Sequence, residues 1–157
     1  MTKVIGLPEG RFRLDDGSDV DLSVRNGRWL VLYAYPKDST PGCTQEAIAF
    51  RELFTEFAAE DTDVMGLSRD SVASHSRFRS NQQLPFPLIS DTDEALCRHL
   101  DLIQEKVLYG RRYMGLVRST FLFDPNGVCR VQWSAVKVKG HASEVLSTLR
   151  QLRQLNA

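Results

Sequence analysis

The sequence predicts an α/β fold, a central mixed β-sheet flanked by helices, and three observations point to it. WLVLYAY, Trp29 to Tyr35, is a continuous apolar run, the pattern of a strand buried on both faces. From Gln45 to Glu60 the pattern turns helical: Phe50, Leu53, Phe54, Phe57 and Ala58 share one stripe, with Arg51, Glu52, Glu56 and Glu60 opposite. DVMGLS, Asp63 to Ser68, reads as the next buried strand. Strand, helix and strand in this order imply a parallel βαβ unit.

The remaining elements follow in chain order. Phe12 to Leu14 and Val20 to Val24 read as short strands around a turn at Asp15 to Ser18. Helices are expected over Ser71 to Asn81 and Asp93 to Leu102, with Asp91 and Asp93 capping the latter. Ser119 to Asp124 and Val128 to Val136 form an expected antiparallel pair around Pro125, Asn126 and Gly127. A helix from about Ala142 to Leu155 closes the chain, its apolar face marked by Val145, Leu149 and Leu152, with Leu146 beside them. With no repeat or linker, residues 1–157 are expected to form one domain.

Composition narrows the function classes. Twenty basic residues balance twenty acidic ones, so no long-range field draws nucleic acid or an anionic membrane. Arg111 and Arg112 are expected in a solvated loop. The opening segment, MTKVIGLPEGRF, has no apolar run of signal-peptide length, and no segment reaches transmembrane length. Cys43, Cys97 and Cys129 are odd in number, widely spaced and form no CxxC pair. A reducing compartment, the cytoplasm, is the simplest fit.

YPKDSTPGCTQEA, Tyr35 to Ala47, carries the chemistry. It joins the buried strand to the long helix, and in open α/β sheets ligands bind beyond the carboxyl ends of the strands. Thr40 suits an N-cap and Pro41 the first helical position. Cys43 then falls in the first turn, with the Thr40 hydroxyl expected near its amide. Unpaired N–H groups and the positive end of the helix dipole favour a thiolate there. Position alone leaves the alternative open that Cys43 is a small buried hydrophobe.

The spacing Pro36, Thr40, Cys43, after an apolar strand and opening a helix, resembles the active-site motif of peroxiredoxins. It is most similar to the bacterioferritin comigratory protein, or peroxiredoxin Q, subgroup. The resemblance continues through HSRFRSNQQLPFPLISD, YGRRYMGLVRSTFLFDPNG and VKVKGHASEVL, covering about Asp15 to Leu146. It implies a thioredoxin-like fold and thiol-dependent reduction of hydrogen peroxide or organic hydroperoxides. It identifies Cys43 with the peroxidatic cysteine, which becomes a sulfenic acid. Thr40 matches the threonine that contacts thiolate and peroxide, Pro36 the proline that shields the sulfur, and Arg118 the arginine that approaches from another strand. No metal, flavin or haem is implied. The subgroup is often monomeric.

The chain departs from the subgroup at the resolving cysteine. The position five residues after Cys43 is Ile48, and the alternative on the following helix is near Arg79. Neither side chain can resolve a sulfenic acid. Cys97 and Cys129 match no resolving position and read as structural. The expectation is a one-cysteine mechanism recycled by an external thiol: thioredoxin, glutaredoxin or glutathione. A thioredoxin-type disulfide reductase is the alternative enzyme, but Glu46 stands where its second thiol belongs. A redox sensor or holdase using Cys43 is the non-enzymatic alternative.

The other candidates have plainer roles. His75, His99 and His141 share no metal-ligand spacing and are expected to face solvent or to be hydrogen-bonded structural groups. Tyr33, Phe121, Phe123, Trp133 and Phe12 read as core rather than as a base-stacking platform. Glu46 suits the first helical turn and is given no chemical step.

Overall fold

A computed structural model describes residues 5–155 of the chain. Met1 to Val4, the start of the segment searched for a leader, lie outside the described residues. Five strands form the central sheet in the order β5-β4-β3-β8-β9. These are β3 (Trp29–Ala34), β4 (Thr62–Ser68), β5 (Leu88–Ser90), β8 (Ser119–Phe123) and β9 (Cys129–Trp133). β3, β4 and β5 run parallel, β8 runs antiparallel to β3, and β9 antiparallel to β8, so the sheet is mixed as expected. β1 (Phe12–Arg13) and β2 (Asp19–Val20) pair around the Asp15 to Ser18 turn.

β3 is buried along its whole length, as its unbroken apolar run requires. Its alternate residues serve two cores. Trp29, Val31 and Tyr33 join Cys43, Phe50, Phe57, Phe78 and Val145 on one face. Leu30, Leu32 and Ala34 join Leu67, Cys97, Phe121 and Phe123 on the other. The first face is covered by α1 (Pro41–Glu52), α2 (Phe54–Ala59), α3 (Val72–Gln82) and α5 (His141–Leu155), and the second by α4 (Ala95–His99).

The helix starts at Pro41, as its capping residues predict, but the periodic stretch Gln45 to Glu60 is broken. α1 ends at Glu52, and α2 restarts at Phe54 after the single junction residue Leu53 (φ −102°, ψ 4°). No proline or glycine causes the break. An i→i+3 bond from Leu53 N to Phe50 O tightens the turn, and both Phe50 and Phe57 remain fully buried across it. The helix expected over Asp93 to Leu102 is only Ala95–His99. Its capping is as expected: Asp91 accepts from the amides of Leu96 and Cys97, and Asp93 from that of Ala95.

Arg111 and Arg112 lie on a strand rather than in a loop. β6 (Ile103–Leu108) and β7 (Arg111–Leu116) form a hairpin around Tyr109 and Gly110. Both turn residues have positive φ, 51° and 76°, the geometry of a tight primed turn. Its outer half is exposed on both faces, including Val107, Leu108, Tyr109, Tyr113 and Met114. Among the described residues no helix is long and apolar enough to cross a membrane.

Candidate active site

Topology assembles this site from two distant segments. β8 runs antiparallel to β3 with Ser119 opposite Ala34. The residue before β8, Arg118, therefore reaches the loop that follows β3. That loop ends in Thr40, whose extended backbone (φ −77°, ψ 154°) is that of an N-cap, and Pro41 opens α1. Cys43 is the third helical residue and is only 1% exposed.

The Arg118 guanidinium bridges two side chains of α1. Its Nη2 donates to Cys43 Sγ at 3.4 Å, and its Nη1 donates to Glu46 Oε1 at 2.7 Å. Cys43 and Glu46 are three residues apart, so they share a helix face. Gly42 makes room for the guanidinium: a Cβ there would stand 3.2 Å from Nη2. Sequence reasoning gave Glu46 no step, although its spacing from Cys43 was the signal that it belongs here.

Thr40 departs from expectation. Its hydroxyl does not cap the helix or bond to the Cys43 amide but turns back to donate to the Lys37 carbonyl at 2.8 Å. Ser39, at φ 64°, curls the intervening chain. The hydroxyl oxygen keeps its lone pairs for another donor. Pro36 is half-buried at the start of the same loop.

Comparison with known proteins identifies what this arrangement belongs to. The model of the AhpC/TSA family matches residues 7–132. Peroxiredoxin Bcp of Xanthomonas campestris pv. campestris is 48% identical over 151 residues, 94% of each chain. Peroxiredoxin Bcp of Bacillus subtilis is 42% identical over 156 residues, 98% of this chain and 99% of that one. The chain belongs to the AhpC/TSA family of peroxiredoxins. A solved structure of the Xanthomonas campestris bacterioferritin comigratory protein, studied for alkyl peroxide reduction, superposes with a TM-score of 0.90 at 45% identity. It covers 96% of this chain and 98% of that one. The fold is thus the thioredoxin-like fold of peroxiredoxins, and the chain is a thiol-dependent peroxidase.

The electrostatics of this peroxiredoxin centre on a buried carboxyl. Glu46 is 1% exposed, and its Oε2 has no hydrogen-bond partner among the described residues. Burial pushes its pKa from 4.5 up to about 7 against the pull of Arg118. Burial also works against the charge of Arg118, but Glu46 and Cys43 outweigh it and raise its pKa. Burial, then Glu46 and Cys43, push the Tyr33 phenol well above its usual range, so it stays neutral. Lys106, which donates to the Leu116 carbonyl at 2.6 Å, has its pKa lowered by burial and by Arg118.

A stability measurement tests the Glu46 assignment. Below about pH 4.5 Glu46 is protonated in both folded and unfolded chains. Between 4.5 and about 7 the unfolded chain loses this proton first, so stability falls as pH rises, by on the order of 3 kcal/mol once above 7. Glutamine carries no such penalty. Urea unfolding should therefore show Glu46→Gln gaining stability relative to wild type as pH is raised across that window. Parallel profiles would mean that Glu46 is ionised throughout.

The other two cysteines lie apart from this centre. Cys97 sits on the opposite face of the sheet from Cys43, and Cys129 packs against that same opposite face. Burial, then the adjacent Asp91 carboxylate, push the Cys97 thiol far up, and burial raises that of Cys129. All three cysteines are free. Of the histidines, His99 donates to the Gly6 carbonyl, His141 pairs with Thr120 Oγ1 at 2.7 Å, and His75 is completely buried.

Proposed function

We propose that Cys43 is the reacting sulfur and that one cysteine suffices for the cycle within the chain. The observation that carries this is the Arg118 guanidinium, held 3.4 Å from Cys43 Sγ. It sets a fixed positive charge against the sulfur and against the oxygen on which charge develops. The thiolate attacks one peroxide oxygen, the O–O bond breaks, and the other oxygen leaves as water or alcohol once protonated. Cys43 is left as a sulfenic acid. Thr40 Oγ1 accepts from the peroxide O–H, and Arg118 with the amides of the first turn stabilises the departing oxygen, an oxyanion-hole arrangement. Pro36 shields the sulfur from bulk water.

Recycling by an external thiol is supported by what stands at the usual resolving positions. Ile48 cannot form a disulfide, and Arg79 is tied to Asp15 at 3.1 Å. Cys97 and Cys129 would have to cross the sheet. The external thiol condenses with the sulfenic acid to a mixed disulfide and releases water, and a second thiol then frees Cys43. Glutathione with glutaredoxin, or thioredoxin, supplies these thiols in a reducing cytoplasm.

Intact mass after one equivalent of hydrogen peroxide, with a sulfenic-acid trap present, tests this reading. The expected product is one trapped adduct mapped to Cys43. Loss of two hydrogens with a mapped Cys43 disulfide would replace the one-cysteine cycle by internal or intersubunit resolution. No change while peroxide remains would remove Cys43 from the chemistry.

A further inference from the structure

A second buried polar network lies directly beneath the loop that joins β3 to α1. At its centre is His75 of α3, which is 0% exposed. Its Nδ1 stands 2.7 Å from Asp38 Oδ2, and its Nε2 stands 2.9 Å from the Ile89 carbonyl oxygen. Both neighbours are acceptors. A neutral imidazole has one N–H, so it would press a lone pair against either the carboxylate or the carbonyl. The next group near Nε2 is Ser68 Oγ at 3.5 Å, and its proton goes to Asp70. Both contacts are satisfied together only when both ring nitrogens carry protons.

The partner is built to be an anion. Asp38 Oδ1 accepts from the Tyr35 hydroxyl at 2.6 Å, and Oδ2 accepts from Ser74 Oγ at 2.8 Å as well as from His75. Burial works against its charge, but these hydrogen bonds outweigh it and keep its pKa below the ordinary carboxylate range. The Asp38 amide donates in turn to Asp70 Oδ2 at 3.0 Å. Asp38, Asp70 and His75 cluster as metal ligands can. In that cluster Asp38 Oδ2 lies directly against Nδ1, and the Ile89 carbonyl oxygen lies against Nε2.

We infer that His75 is held as a buried imidazolium whose bond to Asp38 fixes the Pro36 to Thr40 loop, making it a positioning residue for Cys43. The linkage runs from the Ile89 carbonyl in β5 through His75 and Asp38 to the loop, and from there into the first turn of α1. Two carboxylates, Asp38 and Asp70, face the ring. Among the described residues no Lys or Arg is ion-paired with either. Removing the ring proton breaks one of its two bonds and leaves Asp38 buried without a counter-charge, a costly state. The inference rests on Cys43 being the reacting sulfur.

Nitrogen-15 spectra of the histidine rings in the reduced full-length protein, followed from about pH 6 to 10, read the protonation directly. One of the three rings should carry a proton on both nitrogens at pH 7, as its two acceptor contacts require. His75→Gln should delete that signal, and Asp38→Asn should turn the ring neutral. Each variant should slow oxidation of Cys43 by peroxide about tenfold or more, and the double variant no further than the slower single one. A neutral His75 ring at pH 7, a wild-type rate in His75→Gln, or additive losses would overturn the inference. Wild-type protein that leaves peroxide unreacted would instead overturn the assignment of Cys43, with the ring protonation still measured.

Discussion

Serine in place of Cys43 should reduce peroxide turnover by about a thousandfold or more, because a hydroxyl at this position is almost entirely protonated and a poor nucleophile. The fold should survive, since serine is nearly isosteric. The informative comparison is with the other two cysteines. Replacing Cys97 and Cys129 together by alanine should leave the reaction of Cys43 with peroxide near the wild-type rate, and turnover with an excess of external thiol should continue. Both lie against the far face of the sheet, where burial holds their thiols protonated. Turnover that persists in Cys43→Ser with the same thiol donor would move the chemistry to another residue. Turnover that stops in the double alanine variant, while Cys43 still oxidises, would make one of those sulfurs a resolving partner.

What was legible in the sequence follows the physics of burial. β3 is buried on both faces and β4 almost throughout, so their apolar runs identified them directly. The start of α1 was read better from capping chemistry than from periodicity. Pro41, Gly42, Cys43 and Thr44 carry no apolar stripe, so a periodic pattern detects the helix only later. Thr40 and Pro41 nevertheless mark its start. The β6–β7 hairpin escaped for the opposite reason. Its outer half is exposed on both faces, so no face imposes the alternation by which strands are recognised. The break at Leu53 has no proline or glycine to announce it.

The candidate site divides in the same way. Local spacing placed Cys43 in a first helical turn. Arg118 stands 75 residues from Cys43, and only the resemblance to peroxiredoxins joined them. Strand pairing, which no local pattern reveals, is what brings Arg118 to α1. The Thr40 hydroxyl could not be placed in advance, because its rotamer can aim the oxygen at the helix amides or turn it back to donate to the Lys37 carbonyl. Asp38 and His75 are 37 residues apart, so a hydrogen-bonded histidine could be expected while its partner could not.

Arg118 offers the sharpest separation of catalysis from stability. Arg118→Met keeps most of the aliphatic stem and removes the charge. The second-order rate of Cys43 oxidation should fall by about 10² to 10³, the cost of removing an aimed donor from a developing oxyanion. Stability should change far less. Glu46 loses its partner, but burial already pushes its pKa to about 7, so it takes up a proton instead of remaining a bare buried charge. Arg118→Lys should recover only part of the rate, because an ammonium cannot make the two parallel contacts that the guanidinium makes to Cys43 and Glu46. The double variant Arg118→Met, Glu46→Gln should be no slower than Arg118→Met alone, since Glu46 acts on the sulfur through the arginine. Stopped-flow oxidation rates and urea midpoints on the same preparations decide it. Rate and stability losses of equal size in free energy would reduce Arg118 to a packing residue. A further rate loss in the double variant would give Glu46 a role of its own at the peroxide.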